Sequence, residues 1–249
     1  MKKKKKDYPY MICKGLNNTY SILKSNRFRI DRIDVLKNGR AIRNTTINEL
    51  LIEGKTFFME KSDFYEKYPD GRTQGIVIKF SGDVTKSNFP DYKNSKNVCL
   101  LALDNVEDPQ NFGQIIRTSE CAGIDGIIFP KHHSAPITET VLQVSQGAFV
   151  HIPLYEVTNL SQSINSLKKN DFWVIGIENS VDAKNWHEMQ YAGKILIVAG
   201  SEGRGIREKI SNACDFISTI PMQGETNSLN VSAAVSAILF ERLRQIKDT

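Results

Sequence analysis

Three polar loops hold the side chains of this 249-residue chain best suited to chemistry. Residues 220–236, IPMQGETNSLNVSAAVS, run from an apolar strand end through a polar turn into a helix. The turn carries Glu225, Thr226, Asn227, Ser228 and Asn230, five hydrogen-bonding side chains where a helix cap needs one. Residues 200–205, GSEGRG, set Glu202 among glycines, and residues 104–113, DNVEDPQNFG, lead Asn111 into a helix that also carries Arg117. Amides, hydroxyls, a carboxylate and a permanent cation can orient a ligand and stabilise charge. No Cys-His or Ser-His-Asp set is placed to add a nucleophile. His132, His133, His151 and His187 lack metal-ligand spacing. Taken singly, Asn111 reads as a first-turn hydrogen bonder, Arg117 as a surface helix residue, and Ser228 or Asn227 as an N-cap. Their joint placement around one crevice sets them apart.

GSEGRG invites a phosphate-loop reading, which fails. Gly200 and Gly205 have P-loop spacing, but Ile206 and Arg207 follow where Lys and Ser/Thr belong. The dinucleotide fingerprint fits Gly203 and Gly205 and then breaks at Glu208. Glu202 would repel phosphate, so this bare backbone suits a flat, uncharged group.

Apolar runs at 98–103, 126–129, 172–177, 195–199 and 216–220 read as strands. Helical patterns lie near 109–122, 137–147, 160–169, 206–213 and 229–246. Continuous apolar strands alternating with helices predict a parallel sheet covered on both faces. In such a sheet ligands bind beyond the carboxyl ends of the strands, where all three loops fall. On helix 109–122, Asp108 reads as the N-cap and Pro109 as the first helical residue. Phe112, Ile115, Ile116 and Ser119 should face inward, with Asn111, Gln114, Arg117 and Thr118 on the other side.

Charge divides the chain. Residues 1–97 carry net +10 and residues 98–249 net −5. The basic part suits a polyanion such as nucleic acid. Lys2–Lys6 lack a following apolar stretch, so they read as a basic disordered arm, residues 1–7, and not as a signal peptide. No apolar run approaches the roughly 20 residues of a membrane helix, so no membrane partner is expected. Cys13, Cys99, Cys121 and Cys214 are isolated, as reduced, mostly buried thiols would be. Helix 16–23 and strands 31–36, 57–59 and 75–80 place a small α/β domain at 8–80. The polar stretch 81–97 reads as a linker, and the second domain spans 98–249.

Together the loops resemble the three motifs of the SpoU/TrmH family of RNA ribose 2′-O-methyltransferases, in the SPOUT superfamily. The motifs are LDNVEDPQNFGQIIRTSECAGIDGIIFP (103–130), ILIVAGSEGRGI (195–206) and ISTIPMQGETNSLNVSAAVSAILFE (217–241). Residues 11–80, ending GRTQGIVIKF, resemble the N-terminal RNA-binding domain of the family's large-subunit rRNA guanosine methyltransferases. The resemblance implies an open, mostly parallel α/β sheet with a C-terminal trefoil knot, preceded by that small domain. It implies S-adenosylmethionine as donor, S-adenosylhomocysteine as product, no metal, RNA as substrate, a homodimer and a cytoplasmic location. By motif position it assigns catalytic roles to Asn111, Arg117, Glu202, Ser228 and Asn230, and cofactor contacts to Gly200, Ile220 and Leu229. Asn111 and Glu202 would steady Arg117 or the ribose. Arg204 and the pair Thr118-Ser119 depart from the usual motif residues. The expected reaction is methylation of a ribose 2′-hydroxyl, with guanosine in large-subunit rRNA as target. The alternatives are a tRNA target, or a non-catalytic RNA-binding factor on the same fold.

Overall fold

The computed structural model describes residues 9–180 and 183–247; the arm read at residues 1–7 lies outside them. The described residues fall into two units. One contains those up to Val84 plus Gln146–His151; the other contains Thr85–Ser145 and the chain from Ile152.

The first unit runs β1 (Met11–Lys14), α1 (Leu16–Ser25), β2 (Arg29–Leu36), α2 (Thr45–Leu50), β3 (Thr56–Met59), α3 (Lys61–Lys67) and β4 (Ile76–Ser81). Its sheet order is β1-β4-β2-β3, with β4 antiparallel to both neighbours and β3 parallel to β2. Period-two alternation sends Cys13, Ile33, Val35, Ile78 and Phe80 into the core, where each is fully buried. The register row Ile12, Lys79 and Arg32 points the other way. Residues 146–151 complete this core from far along the chain. Phe149 lies 6.1 Å from Phe28 and 6.2 Å from Phe80, centroid to centroid. His151 Nε2 sits 3.2 Å from Ser21 Oγ. Gly147 has φ +90, and a Cβ there would stand 2.6 Å from Ser21 Oγ, so glycine is required.

Asp34 is the buried charge of this unit, 2% exposed. Burial pushes its pKa up, but hydrogen bonds from Lys67, Tyr68 and Arg32 outweigh that and hold it below the usual carboxylate range. The donors stand 2.7, 2.6 and 2.7 Å away. A depressed folded-state pKa contributes stability above the unfolded value, near pH 4, that is lost as pH falls through the folded one. Asp34→Asn should therefore cost about 1.5–3 kcal/mol at pH 7 and flatten the acid limb of stability. Urea melts at pH 7 and pH 3 read this; equal acid sensitivity in both proteins would refute it.

The second unit adds β5 (Thr85–Lys86), β6 (Val98–Leu103), α4 (Pro109–Cys121), β7 (Gly126–Pro130), α5 (Glu139–Val144), β8 (Leu154–Val157), α6 (Leu160–Lys168), β9 (Trp173–Ile177), β10 (Lys184–Asn185), β11 (Lys194–Ala199), α7 (Glu208–Ser211), β12 (Phe216–Thr219) and α8 (Val231–Lys247). All eight strands pair in parallel, in the order β10-β12-β9-β11-β6-β7-β8-β5. Every residue of β6 and β7 is buried, which explains their unbroken apolar runs. The stretch read as a linker contributes β5 to the sheet edge, paired with β8. Winding reverses between β6 and β11: β7 and β8 build outward on one side, while β11, β9 and β12 lie on the other. This is the switch point where an open sheet leaves a crevice.

Candidate active site

The loops after β6 and β11 are tied together at that switch point. Asp104, directly after β6, is fully buried. It accepts hydrogen bonds from Arg207 N at 2.8 Å, Nε at 2.9 Å and Nη2 at 2.5 Å. Within the β11 loop, Ser201 and Gly205 exchange backbone hydrogen bonds of 3.1 and 3.0 Å. The turn closes so tightly that a Cβ on Gly200 would stand 2.1 Å from the carbonyl carbon of Gly205. Only glycine fits there, because the opposing atoms are backbone and cannot rotate aside.

Asn111 on the first turn of α4, Glu202 in the loop after β11 and Asn230 just before α8 meet in one network. Asn111 Nδ2 donates to Glu202 Oε1 at 3.1 Å, and Asn230 Nδ2 donates to Asn111 Oδ1 at 2.9 Å. Glu202 Oε1 also accepts from Asn230 Nδ2 and from Val231 N. Asn230 is the N-cap of α8, its Oδ1 accepting from Ser232 N at 2.9 Å. Capping thus falls to Asn230, and Ser228 and Asn227 are free of that duty. Asp108 caps α4 as the sequence predicts, accepting from Gln110 N at 2.8 Å. Asn230→Ala should cost about 1–2 kcal/mol through the lost cap and weaken ligand binding through loss of the network. A thermal melt with no change in midpoint would contradict this.

Beside the network lies a cavity of about 420 Å³, in the size range of small-ligand sites. Gly200, Glu202, Ile220, Ser228 and Leu229 line it. Asn111 lines an adjoining cavity of about 260 Å³ that shares Glu202. Arg117 lies apart, exposed on α4, and forms no hydrogen bond or ion pair with any described residue. Of the two partners expected for Asn111 and Glu202, Arg117 or the ribose, Arg117 is not in contact with either side chain among the described residues. Those side chains bind each other and Asn230, and Asn111 is itself buried at 8% exposure.

Glu178 and Asn179, just past β9, also line the larger cavity, and Asn179 Nδ2 donates to the Asn227 carbonyl at 3.0 Å. Sequence reasoning missed both, although a polar pair at the carboxyl end of a parallel strand met its own rule. Burial pushes the Cys99 and Cys214 thiols up to about 12, so neither is a thiolate nucleophile at neutral pH. Among the described residues, no cluster of three or more His, Cys, Asp or Glu side chains could hold a metal ion.

A parallel α/β sheet with a small-ligand cavity built from the loops at its switch point defines an open-sheet ligand-binding protein, here carrying an additional mixed-sheet unit. The chain belongs to the SpoU rRNA methylase family, whose profile matches residues 99–240. It is 36% identical over 217 residues to a Staphylococcus epidermidis protein assigned to the TrmH family of tRNA/rRNA methyltransferases, covering 85% of this chain and 82% of that one. The fold matches the crystal structure of the SpoU methyltransferase AviRb from Streptomyces viridochromogenes in complex with AdoMet, with TM-score 0.78 and 18% identity over 96% of this chain and 92% of that one. It also matches a crystal structure of an RNA 2′-O ribose methyltransferase, with TM-score 0.80 and 19% identity over 96% and 89% of the two chains.

Proposed function

We propose that this protein transfers a methyl group from S-adenosylmethionine to a ribose 2′-hydroxyl of RNA, with guanosine in large-subunit rRNA as the target. The observation that carries this reading is the Asn111–Glu202–Asn230 network standing beside the larger cavity. The donor chemistry of that cavity suits the cofactor. Ile177, Ile220 and Leu229 offer apolar walls, and two carboxylates, Glu178 and Glu202, against one guanidinium, Arg204, favour a cationic sulfonium over a phosphate. Gly200, Ile220 and Leu229 would hold the donor, largely by backbone contacts.

When bound, the donor supplies an electrophilic methyl group. The ribose oxygen would take that methyl as the S–CH3 bond breaks and the neutral thioether leaves, and would give up one proton, to water or to phosphate. By its motif position Arg117 would act by stabilising charge developing on the oxygen and not as a base. Asn111, Glu202 and Asn230 fix one another so that the loops present a single arrangement to the ribose, and Ser228 shapes the third loop. Holding both reactants in place supplies much of the rate.

The same reading includes a trefoil knot, a homodimer and a cytoplasmic location. The return of α8 from the β12 side of the sheet to pack on α4 supports the knot. Phe240 and Ile246 on α8, 48% and 37% exposed, support the dimer. No helix among the described residues is long and apolar enough to cross a membrane. A tRNA target is the second reading, compatible with the Staphylococcus relative, whose assignment covers both RNAs.

Incubation with methyl-labelled donor and rRNA or tRNA, followed by alkaline digestion, tests the reaction. A 2′-O-methyl protects the adjacent phosphodiester, so label should appear in alkali-resistant dinucleotides. Label on a base alone would refute the proposal.

A further inference from the structure

The sheet of the first unit buries one face and leaves part of the other open. On the open face a row of four side chains runs from the residue before β1 across β4, β2 and β3. Tyr10, just before β1, is 58% exposed, and Lys79 on β4 stands 3.3 Å from its ring centroid. Arg32 on β2 lies 3.8 Å from the ring centroid of Phe57 on β3, itself 42% exposed. Lys79 and Arg32 are direct register partners. Like charges set opposite each other on neighbouring strands destabilise a sheet. Asp34 answers part of the Arg32 charge at 2.7 Å, and it also serves Lys67. Exposed rings are likewise costly. A polyanion carrying flat groups would relieve both.

We propose that this row is a stacking surface for unpaired nucleotides of the RNA, Tyr10 and Phe57 each taking a base and Lys79 and Arg32 the adjoining phosphates. This rests on the RNA-substrate reading and gives it a form, single-stranded at this contact. Outer strands of a four-stranded sheet lie about 14 Å apart, so the rings address separate bases. Aromatic faces on a sheet bind bases of any sequence, and flanking cations follow the backbone. The charge balance agrees, because residues 1–97 carry net +10.

The test uses the full chain, a fluorescein-labelled 12-nucleotide single-stranded RNA, and a duplex of equal length. The double variant Tyr10→Leu/Phe57→Leu should lose about tenfold or more in single-strand affinity and little in duplex affinity. Lys79→Gln should lower the salt dependence of single-strand binding by about one counterion. Tyr10→Phe/Phe57→Tyr should keep wild-type affinity. Single-strand affinity within twofold of wild type in a folded double variant would overturn the proposal, and so would equal losses on both RNAs. S-adenosylmethionine binding by calorimetry separates the two readings. Donor binding without single-strand preference sinks the stacking surface alone, whereas single-strand preference without donor binding sinks the methyl-transfer function alone.

Discussion

Replacing Arg207 by methionine should lower the unfolding midpoint by about 10 °C, corresponding to roughly 3–5 kcal/mol. The reason is an asymmetry in the pair it forms with Asp104. The Arg207 side chain is 43% exposed, while that of Asp104 is 0% exposed. Removing the exposed partner strands a carboxylate that water cannot reach, with only the Arg207 backbone N–H and the neighbouring dipoles left to answer it. An exposed ion pair would be worth about 1 kcal/mol or less. Burial of one partner is what raises the cost. Asp104→Asn/Arg207→Met should recover much of the loss, because no buried charge remains. Arg207→Lys should fall between, keeping the charge but losing the two-pronged geometry. Donor affinity should fall with stability, since the pair holds the loops after β6 and β11 together. A midpoint within 2 °C of wild type for Arg207→Met would show that the pair does not hold the loops.

Arg117→Ala should lower kcat by about 100- to 1000-fold while donor affinity stays within about twofold of wild type. Loss of one donor aimed at developing negative charge has effects of that size. The structure favours a clean separation of turnover from binding. Arg117 lines neither cavity, is exposed, and supports no hydrogen bond among the described residues, so its removal leaves fold and donor site intact. Single-turnover kinetics with saturating donor and RNA reads the effect. Arg117→Lys should restore only part of it, because a compact ammonium cannot present two donors in one plane. A near-wild-type rate for Arg117→Ala would remove the residue from the mechanism.

The core of the second unit was legible because β6, β7 and β9 are apolar throughout and β11 is apolar after Lys194, a pattern that needs no partner to interpret. β8 escaped because four residues directly after Pro153 carry too little periodicity, and β5 because a two-residue edge strand has none. In the first unit, β1 and the short helices α2 and α3 were missed for the same reason of length. The site was legible where polar residues followed apolar strands. The Asn111–Glu202–Asn230 contacts were not, because sequence places all three beside a crevice without saying which atoms pair. Asp104 went unremarked since its partner, Arg207, lies 103 positions away.

The packing of Phe149 against Phe28 and Phe80 bears on how the protein is made. Synthesis proceeds from the N-terminus, so the first unit emerges with its sheet complete at Ser81 but with an apolar surface still uncovered. Some 70 further residues must leave the ribosome before that surface meets its last ring. During that interval the nascent chain carries exposed aromatic area and an unsealed hydrophobic face, the form most open to chaperones and to self-association. A fragment ending at Val84 would remain in that state permanently.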